Sequence, residues 1–309
     1  MIANKFIIVI PTFDQEALLE RTLDCLFDCC FPAELLKIII VENGKKGNVD
    51  RLLEKYHDLN RIKIEYFYES LANKSNALNS VLHDVKDTFI VFFDDDIRLD
   101  KTILMTYSSA FNKFGRGHFF GGQVEPDFAG IEPPSHLINL FPDSVKGFNI
   151  GDKIIQIHTP IFLGCNWACY SEDLREIGMF NCNFGPGSGT GSVGQETTAM
   201  ESLLRLGKKA IYLPNAKVWH FIPNERSNFK WLKNRKYKIG IRAGLLTKKK
   251  FDSYKKLFGI PLWFYRCYLI SLFNFKIKRY FVKDKQIIAG YILEHCMNRG
   301  MLKGFFERV

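Results

Sequence analysis

The sequence predicts an α/β protein in which a mostly parallel sheet is flanked by helices and followed by a basic, mainly helical C-terminal extension. The first observation is alternation: the short apolar runs KFIIVIP, LKIIIVEN, RIKIEYFY and TFIVFFDD are separated by the amphipathic stretches QEALLERTLDCLF, VDRLLEKYH and NKSNALNSVLHDV. Strands alternating with helices of this length build βαβ units, whose crossover helices cover both faces of a parallel sheet. The second is that each of three strands ends in a polar group: Pro11-Thr12-Phe13, Glu42-Asn43-Gly44 and Asp94-Asp95-Asp96. In such sheets ligands bind beyond the carboxyl ends of the strands, so these groups are expected to converge on one cleft. The third is a split in charge. Residues 1–225 carry 22 Lys and Arg against 29 Asp and Glu, net −7, whereas residues 226–309 carry 21 against 4, net +17. The chain is divided accordingly into a body, 1–225, and an aromatic-rich extension, 226–309.

Composition narrows the function classes. At 309 residues, 47% hydrophobic and 25% charged, the chain buries a sizeable core and has the balance of a soluble protein. Its eight cysteines are scattered without the paired spacing of a zinc site, and they read as core residues of a reducing, cytosolic chain. The start, MIANKFIIVIPTF, holds five apolar residues in a row and no small-residue cleavage site, so it reads as a strand and not as a secretion signal. The basic extension is expected to meet an anionic membrane surface, with no nucleic acid expected. Its most apolar stretch, LFGIPLWFYRCYLISLFNF, has Arg266 in its middle and is followed by Lys276, Lys278 and Arg279, which favours lying in an interface over spanning it. Folding back as a helical cap is the alternative.

The stretch FIVFFDDDIRLD poses the chemical question. Three adjacent carboxylates after a buried run repel each other and are costly to desolvate, so either water or a cation must meet them. An EF-hand loop would need glycine where Leu99 stands, and a dehalogenase-type phosphatase places its acids after the first strand. A nucleotidyltransferase should show an early glycine-rich phosphate loop bearing Lys or Arg, and IPTFDQEALL has none. A non-catalytic membrane- or nucleic-acid-binding module leaves the acids unexplained. Asp100 reads as the N-cap of the next helix. Further on, FGPGSGTGSVGQE, Phe184 to Glu196, reads as a mobile surface loop of the lid type, and QETTAMESLLRLG as a helix behind it. Glu196 then sits at a helix N-terminus, where the backbone dipole favours its ionised form.

VIPTFDQEALLERTLDCL, IIIVENG, NKSNALN, FFDDD, FLGCNWACYSEDLREIGMF, GQETTAMESLLRLGKKAIYLP and AKVWHF occur in this order between about Phe6 and His220. Together they resemble a family-2 glycosyltransferase with the A-type, nucleotide-sugar-binding fold. The resemblance implies an inverting, metal-dependent transfer of a sugar, most simply from a UDP-sugar, to a hydroxyl of a glycan or lipid-linked saccharide. It implies Mn²⁺ or Mg²⁺ on Asp96, Asp94 and His220, with Asp94 also near the ribose and Asp95 near the sugar. Pro11, Thr12, Phe13, Glu16 and Asn43 fall on the nucleotide side, and Glu42 would accept a hydrogen bond from a uracil or guanine edge. Lys74 is placed near a phosphate, with a solvated helix-terminus lysine as the alternative. Glu196 stands where the family's general base, usually Asp, is expected, and Asn166 and Trp167 lie where acceptor-facing residues would be. No Gln-any-any-Arg-Trp signature of processive synthases is present, so one addition per encounter is expected. The enzyme is expected to be cytoplasmic and peripheral on the inner face of the cell membrane.

Overall fold

The computed structural model describes residues 4–59, 61–189, 193–250 and 255–307, and no side chain of 248–250. The chain opens with β1 (Phe6–Thr12), α1 (Glu16–Phe27), β2 (Leu35–Asn43), α2 (Val49–His57), β3 (Lys63–Glu69), α3 (Lys74–Leu82) and β4 (Phe89–Phe93). It continues through β5 (Ile97–Leu99), α4 (Ile103–Phe114), β6 (His118–Phe128), α5 (Ser135–Ile138), α6 (Asp143–Lys146), β7 (Ile155–Ile157) and β8 (Asn166–Tyr170). Next come α7 (Ser171–Glu176), α8 (Gln195–Arg205) and β9 (Lys209–Ile222). The last part holds α9 (Phe229–Lys250), β10 (Lys256–Leu257), β11 (Ile260–Pro261), α10 (Leu262–Lys276) and α11 (Lys285–Phe306).

Two compact units result. The first takes Met1–Asp127, Gly147–Cys182 and Gln195–Phe221; the second takes Phe128–Lys146, Asn183–Gly194 and Ile222–Val309. The expected division at residue 226 lies close to the last of these boundaries. The segments 128–146 and 183–194 nevertheless belong with the C-terminal helices, because Leu137, Phe141 and Val145 share a core with Leu232 and Leu293, and Phe184 shares one with Ile241 and Leu245.

In the first unit the described strands form one sheet in the order β3-β2-β1-β4-β8-β6-β9-β5, with β7 on β9. Pairings from β3 to β4 are parallel, while β4–β8, β6–β8, β5–β9 and β7–β9 are antiparallel. Mostly parallel pairing therefore holds only for the first four strands. The difference lies in what the helical connections join: α1 and α2 link neighbouring strands, β1 to β2 and β2 to β3, as parallel neighbours need, whereas α4 links β5 to β6 and α7 with α8 links β8 to β9, pairs that are not neighbours in the sheet. Every residue of β1 and β4 is buried, as strands covered on both faces require. α1 buries Leu19, Thr22, Leu23, Leu26 and Phe27, one stripe at helical spacing. The register sets Thr12 beside Glu42 and Glu42 beside Tyr68, which aligns the polar strand ends along one edge.

In the second unit α9 and α11 pack backbone to backbone at glycines. A Cβ on Gly240 would lie 2.0 Å from the Met297 carbonyl oxygen, and one on Gly300 would lie 1.9 Å from that of Tyr237. The same holds one turn on, at Gly244 and Gly304, so each helix offers a small-residue pair four apart. Gly290, on α11 as well, would meet nothing within 4 Å. Alanine substitutions should therefore have opposite signs on one helix. Gly290→Ala should stabilise by up to about 1 kcal/mol through helix propensity. Gly300→Ala should lose about 2 kcal/mol, because the overpacking penalty exceeds that gain. Urea unfolding midpoints measure both, and a stabilised Gly300→Ala would contradict the packing.

Candidate active site

The turn after β4 carries the three acids, and an antiparallel pairing brings in the fourth group. Ile97 pairs with His220, and the Phe221 N–H donates to the Asp96 carbonyl over 2.8 Å. His220 Nε2 thereby comes to 3.4 Å from Asp96 Oδ1. One ligand atom from each of Asp94, Asp96 and His220 lies within 4.8 Å of the other two. Helix α1 holds the turn from behind: the Thr22 hydroxyl bonds the carbonyls of Asp95 and Ile97, each over 2.8 Å, and lies 3.1 Å from the Ile97 N–H. The sequence reading passed over Thr22, although a threonine on the apolar stripe of a helix was its signal.

Electrostatics favour a cation at this turn. Burial first and the Asp96 charge second push the Asp95 carboxyl up to about 7, against the Thr12 hydroxyl, which donates to Oδ2 over 2.6 Å and lowers it. Burial also raises Asp94; Lys74 pulls it down, and Asp96 and Glu196 push it up. Two carboxylates on a turn crowded with negative charge, with the His220 imidazole brought to them from β9, are a donor set that suits Mn²⁺, and Mg²⁺ with fewer protein ligands. The residues present fit a divalent ion.

Lys74 is the first residue of α3, where the helix dipole disfavours a cation. It is not solvated. Its side chain is 17% exposed, and its Nζ donates to Asp94 Oδ1 over 2.6 Å and to Glu196 Oε1 over 3.1 Å. Burial pulls the ammonium pKa down, but the charges of Asp94 and Glu196 more than reverse that, so Lys74 stays protonated. Asn73 caps the helix by accepting from the Asn76 N–H over 3.0 Å, and its amide donates to the Cys182 carbonyl over 2.9 Å, which fixes where α3 starts. Glu196 lies in the first turn of α8 and also accepts from Gln195 Nε2 over 3.0 Å. Room for its carboxylate comes from Gly164, where a Cβ would fall 2.3 Å from Glu196 Oε1. Gly164 was not singled out from the sequence, and nothing local marks it.

Asn166 and Trp167 are both fully buried, so neither faces an acceptor as expected. Asn166 ties strands together: its amide donates to the Gln123 and Ala216 carbonyls over 3.1 and 2.7 Å and accepts from Tyr107 Oη over 2.8 Å. Trp167 stacks on Phe92 at 4.8 Å and lines a narrow cavity with Lys74, Asp94, Gly164 and Glu196. Among the described residues its indole N–H has no hydrogen-bond partner.

Glu42 is also placed differently from expectation. It is 2% exposed, with Oε1 accepting from the Gly47 N–H over 2.6 Å and Oε2 from Tyr66 Oη over 2.5 Å. The longer side chain reaches back to shape its own loop. Glu16 does the same from α1, accepting from the Asn48 N–H over 2.7 Å. These two acids with Asp14, Lys45 and Lys46 line a hollow of about 250 Å³. Asn43 donates to the Thr12 carbonyl over 2.8 Å, Pro11 lines the Lys74 cavity, and Phe13 is 49% exposed at the strand end. Of the glycine-rich run, residues 190–192 lie outside the described residues, and with them part of the expected lid. Phe184, Ser188 and Val193 in that run are buried, so it is not surface throughout. Asp100 accepts from the Thr102 N–H and hydroxyl over 2.9 and 2.7 Å, one turn ahead of α4, whose N-cap is Thr102.

Comparisons with known proteins bear on the family and the fold. The sequence profile of glycosyl transferase family 2 matches residues 7–178. Over 100 residues the chain is 22% identical to poly(ribitol-phosphate) β-N-acetylglucosaminyltransferase TarS of Staphylococcus aureus, taking in 32% of this chain and 18% of that protein. The match thus spans less than a fifth of its relative's length. In fold the chain is similar to the mannosyltransferase PcManGT from Pyrobaculum calidifontis, solved with GDP-Man and Mn²⁺, with a TM-score of 0.58, 14% identity, and 96% of this chain and 87% of that one covered. It is also similar to GalNAc-T7 solved with UDP, GalNAc and Mn²⁺, at TM-score 0.55 and 12% identity over 79% of this chain and 51% of that one. S. aureus TarS 1–349 gives 0.52 and 12% over 96% and 89%.

Proposed function

The chain belongs to glycosyl transferase family 2 and is a glycosyltransferase, and from that premise we propose that it inverts a sugar from a nucleotide donor onto a hydroxyl of a glycan or lipid-linked saccharide, with a divalent metal and one addition per encounter. A UDP-sugar is the first donor to test. The proposal is supported by one observation above the rest: Lys74 joins Asp94 and Glu196 through a single ammonium, at 2.6 and 3.1 Å. An acid of the metal turn and the base are thereby held at a fixed separation, the kind of positioning that turns encounter into reaction.

Asp94, Asp96 and His220 would hold the ion, which as a Lewis acid neutralises the diphosphate charge when the donor bond breaks. Glu196 accepts the proton of the acceptor hydroxyl as that oxygen attacks. Lys74, balanced between two carboxylates, holds the Glu196 side chain in place through its 3.1 Å contact with Oε1. Folds similar to this one were solved with GDP-Man and Mn²⁺ and with UDP, GalNAc and Mn²⁺, which supports a nucleotide-sugar donor and manganese.

The test is a panel of UDP- and GDP-sugars with and without Mn²⁺. A matching donor at about a hundred times its Kd should stabilise the folded protein by about 2.7 kcal/mol, read as a rise in melting temperature. Mn²⁺-dependent release of the nucleoside diphosphate should accompany it, and the anomeric configuration of the product reports inversion. No stabilisation and no release with any donor would overturn the reading.

A further inference from the structure

We propose that the second unit docks on an anionic phospholipid surface through the hairpin β10–β11, the outward side of α10 and the short 3₁₀ turn Lys278–Phe281. Of the 24 large hydrophobic side chains exposed among the described residues, 12 fall between Leu257 and Phe306. Phe258 and Phe281 are each 83% exposed, Tyr280 70%, Leu269 62% and Phe273 53%. Monomeric soluble proteins rarely leave apolar side chains clustered in water on this scale, and where they do the cluster marks a contact.

The helix makes the case specific. α10 packs on α11 by one side: Phe264 meets Phe305 edge-on at 5.0 Å, and Phe275 stacks on His295 at 4.8 Å. A helix at a protein surface should be polar on the side away from that contact. Here Leu262, Leu269 and Phe273, at helical spacing on the other side, are apolar and exposed, with Arg266 among them. The hairpin repeats the pattern. Phe258 sits at its tip with φ +50, followed by Gly259 at φ +77. A bulky residue seldom takes that left-handed backbone, and such strain tends to persist where a side chain must be presented.

Charge selects the partner. Residues 255–287 carry eight Lys and Arg against a single acid, Asp284. That acid caps α11, accepting from the Gln286 and Ile287 N–H groups over 2.7 and 3.1 Å. Apolar rings set among cations suit the headgroup layer of an anionic bilayer, where the rings enter and the lysines reach the phosphates. A second copy of the chain would bring the same positive face against it. Spanning is ruled out for the described helices, none of which is long and apolar enough to cross. α10, with 15 residues, is about 22 Å long against a hydrocarbon core of about 30 Å.

The test is co-sedimentation of the full chain with vesicles of phosphatidylcholine alone and of phosphatidylcholine mixed with phosphatidylglycerol. The protein should pellet with the mixed vesicles at low salt, stay in solution with phosphatidylcholine alone, and be released as salt rises. The double substitution Phe258→Ser, Phe281→Ser should lower partitioning roughly tenfold or more, because two rings no longer leave water. Both rings stand free of the core, so melting temperature and donor binding of this variant should match the parent. Failure to pellet at low salt, equal pelleting on neutral vesicles, or undiminished binding by the double variant would each overturn the proposal. So would a vesicle-free dimer, seen by sedimentation velocity, that the double variant abolishes, since the face would then belong to a second copy.

Discussion

Glu196→Gln should lower the transfer rate by at least about a hundredfold while leaving donor and metal affinity within a few fold. General-base loss costs on the order of 10²- to 10⁴-fold, and Gln cannot take the acceptor's proton. Its volume is nearly that of Glu, and its carbonyl can still accept from Lys74 and from Gln195, which lie 3.1 and 3.0 Å from Oε1. Lys74 keeps the Asp94 carboxylate at 2.6 Å, so no buried cation is left uncompensated. Losing the charge in the first turn of α8 should itself cost only about 0.3–1 kcal/mol. Gly164→Ala gives an independent arm: its Cβ would fall 2.3 Å from Glu196 Oε1, displacing the carboxylate with its charge intact. Both variants should lose turnover and keep Mn²⁺-dependent nucleotide binding. Near-parental transfer by Glu196→Gln would reduce Glu196 to a partner of Lys74.

The neighbouring acids offer little competition for the role. Asp173 and Glu176 pair with Lys208 at 2.6 and 3.0 Å. Glu172 accepts from the Asp87 N–H over 3.0 Å, and the adjoining Ser171 N–H bonds the Thr88 carbonyl. All three therefore belong to the region where β4 begins, at the opposite end of that strand from Asp94.

What the sequence disclosed follows from range. Strands buried on both faces read as unbroken apolar runs, so β1, β2 and β4 were visible with the polar groups at their ends. The three acids announced themselves because adjacent carboxylates after a buried run must be met by water or a cation wherever they occur. His220 was legible only through family resemblance, since its closeness to Asp96 arises from the β5–β9 pairing. The Lys74–Glu196 bond joins residues 122 apart and has no local signature at all. Glu42 misled for a related reason: its type and strand-end position suit a base contact, but Gly47 and Tyr66 claim both its oxygens. The glycines of α9 and α11 look like weak helix positions until the partner backbone is seen. Pairwise tertiary contact between distant segments is what a single sequence withholds.

Asp96→Asn should abolish metal-dependent nucleotide affinity without unfolding the protein. Asp96 is 5% exposed and contributes in two separable ways. Its backbone carbonyl accepts the Phe221 N–H over 2.8 Å, a contact that fastens β9 to the acidic turn and that Asn retains. Its carboxylate lies 3.4 Å from His220 Nε2 and belongs to the three-residue donor set. The substitution removes one hard anionic oxygen from that set and leaves a neutral amide, a poor ligand for Mn²⁺ or Mg²⁺. Altering the groups that only orient a metal's ligands costs about 10- to 100-fold in affinity, so losing a ligand outright should cost at least about a hundredfold. Stability should not fall with it. The Asp96 charge is among the causes that raise both Asp94 and Asp95, so removing it relieves repulsion in the free protein. Calorimetric titration of UDP and GDP with and without Mn²⁺, beside a melting curve, separates the outcomes. A parental protein that gains affinity with Mn²⁺ and a variant of equal melting temperature that gains none is the expected pair. An equal gain from Mn²⁺ in both proteins would place the ion on other residues.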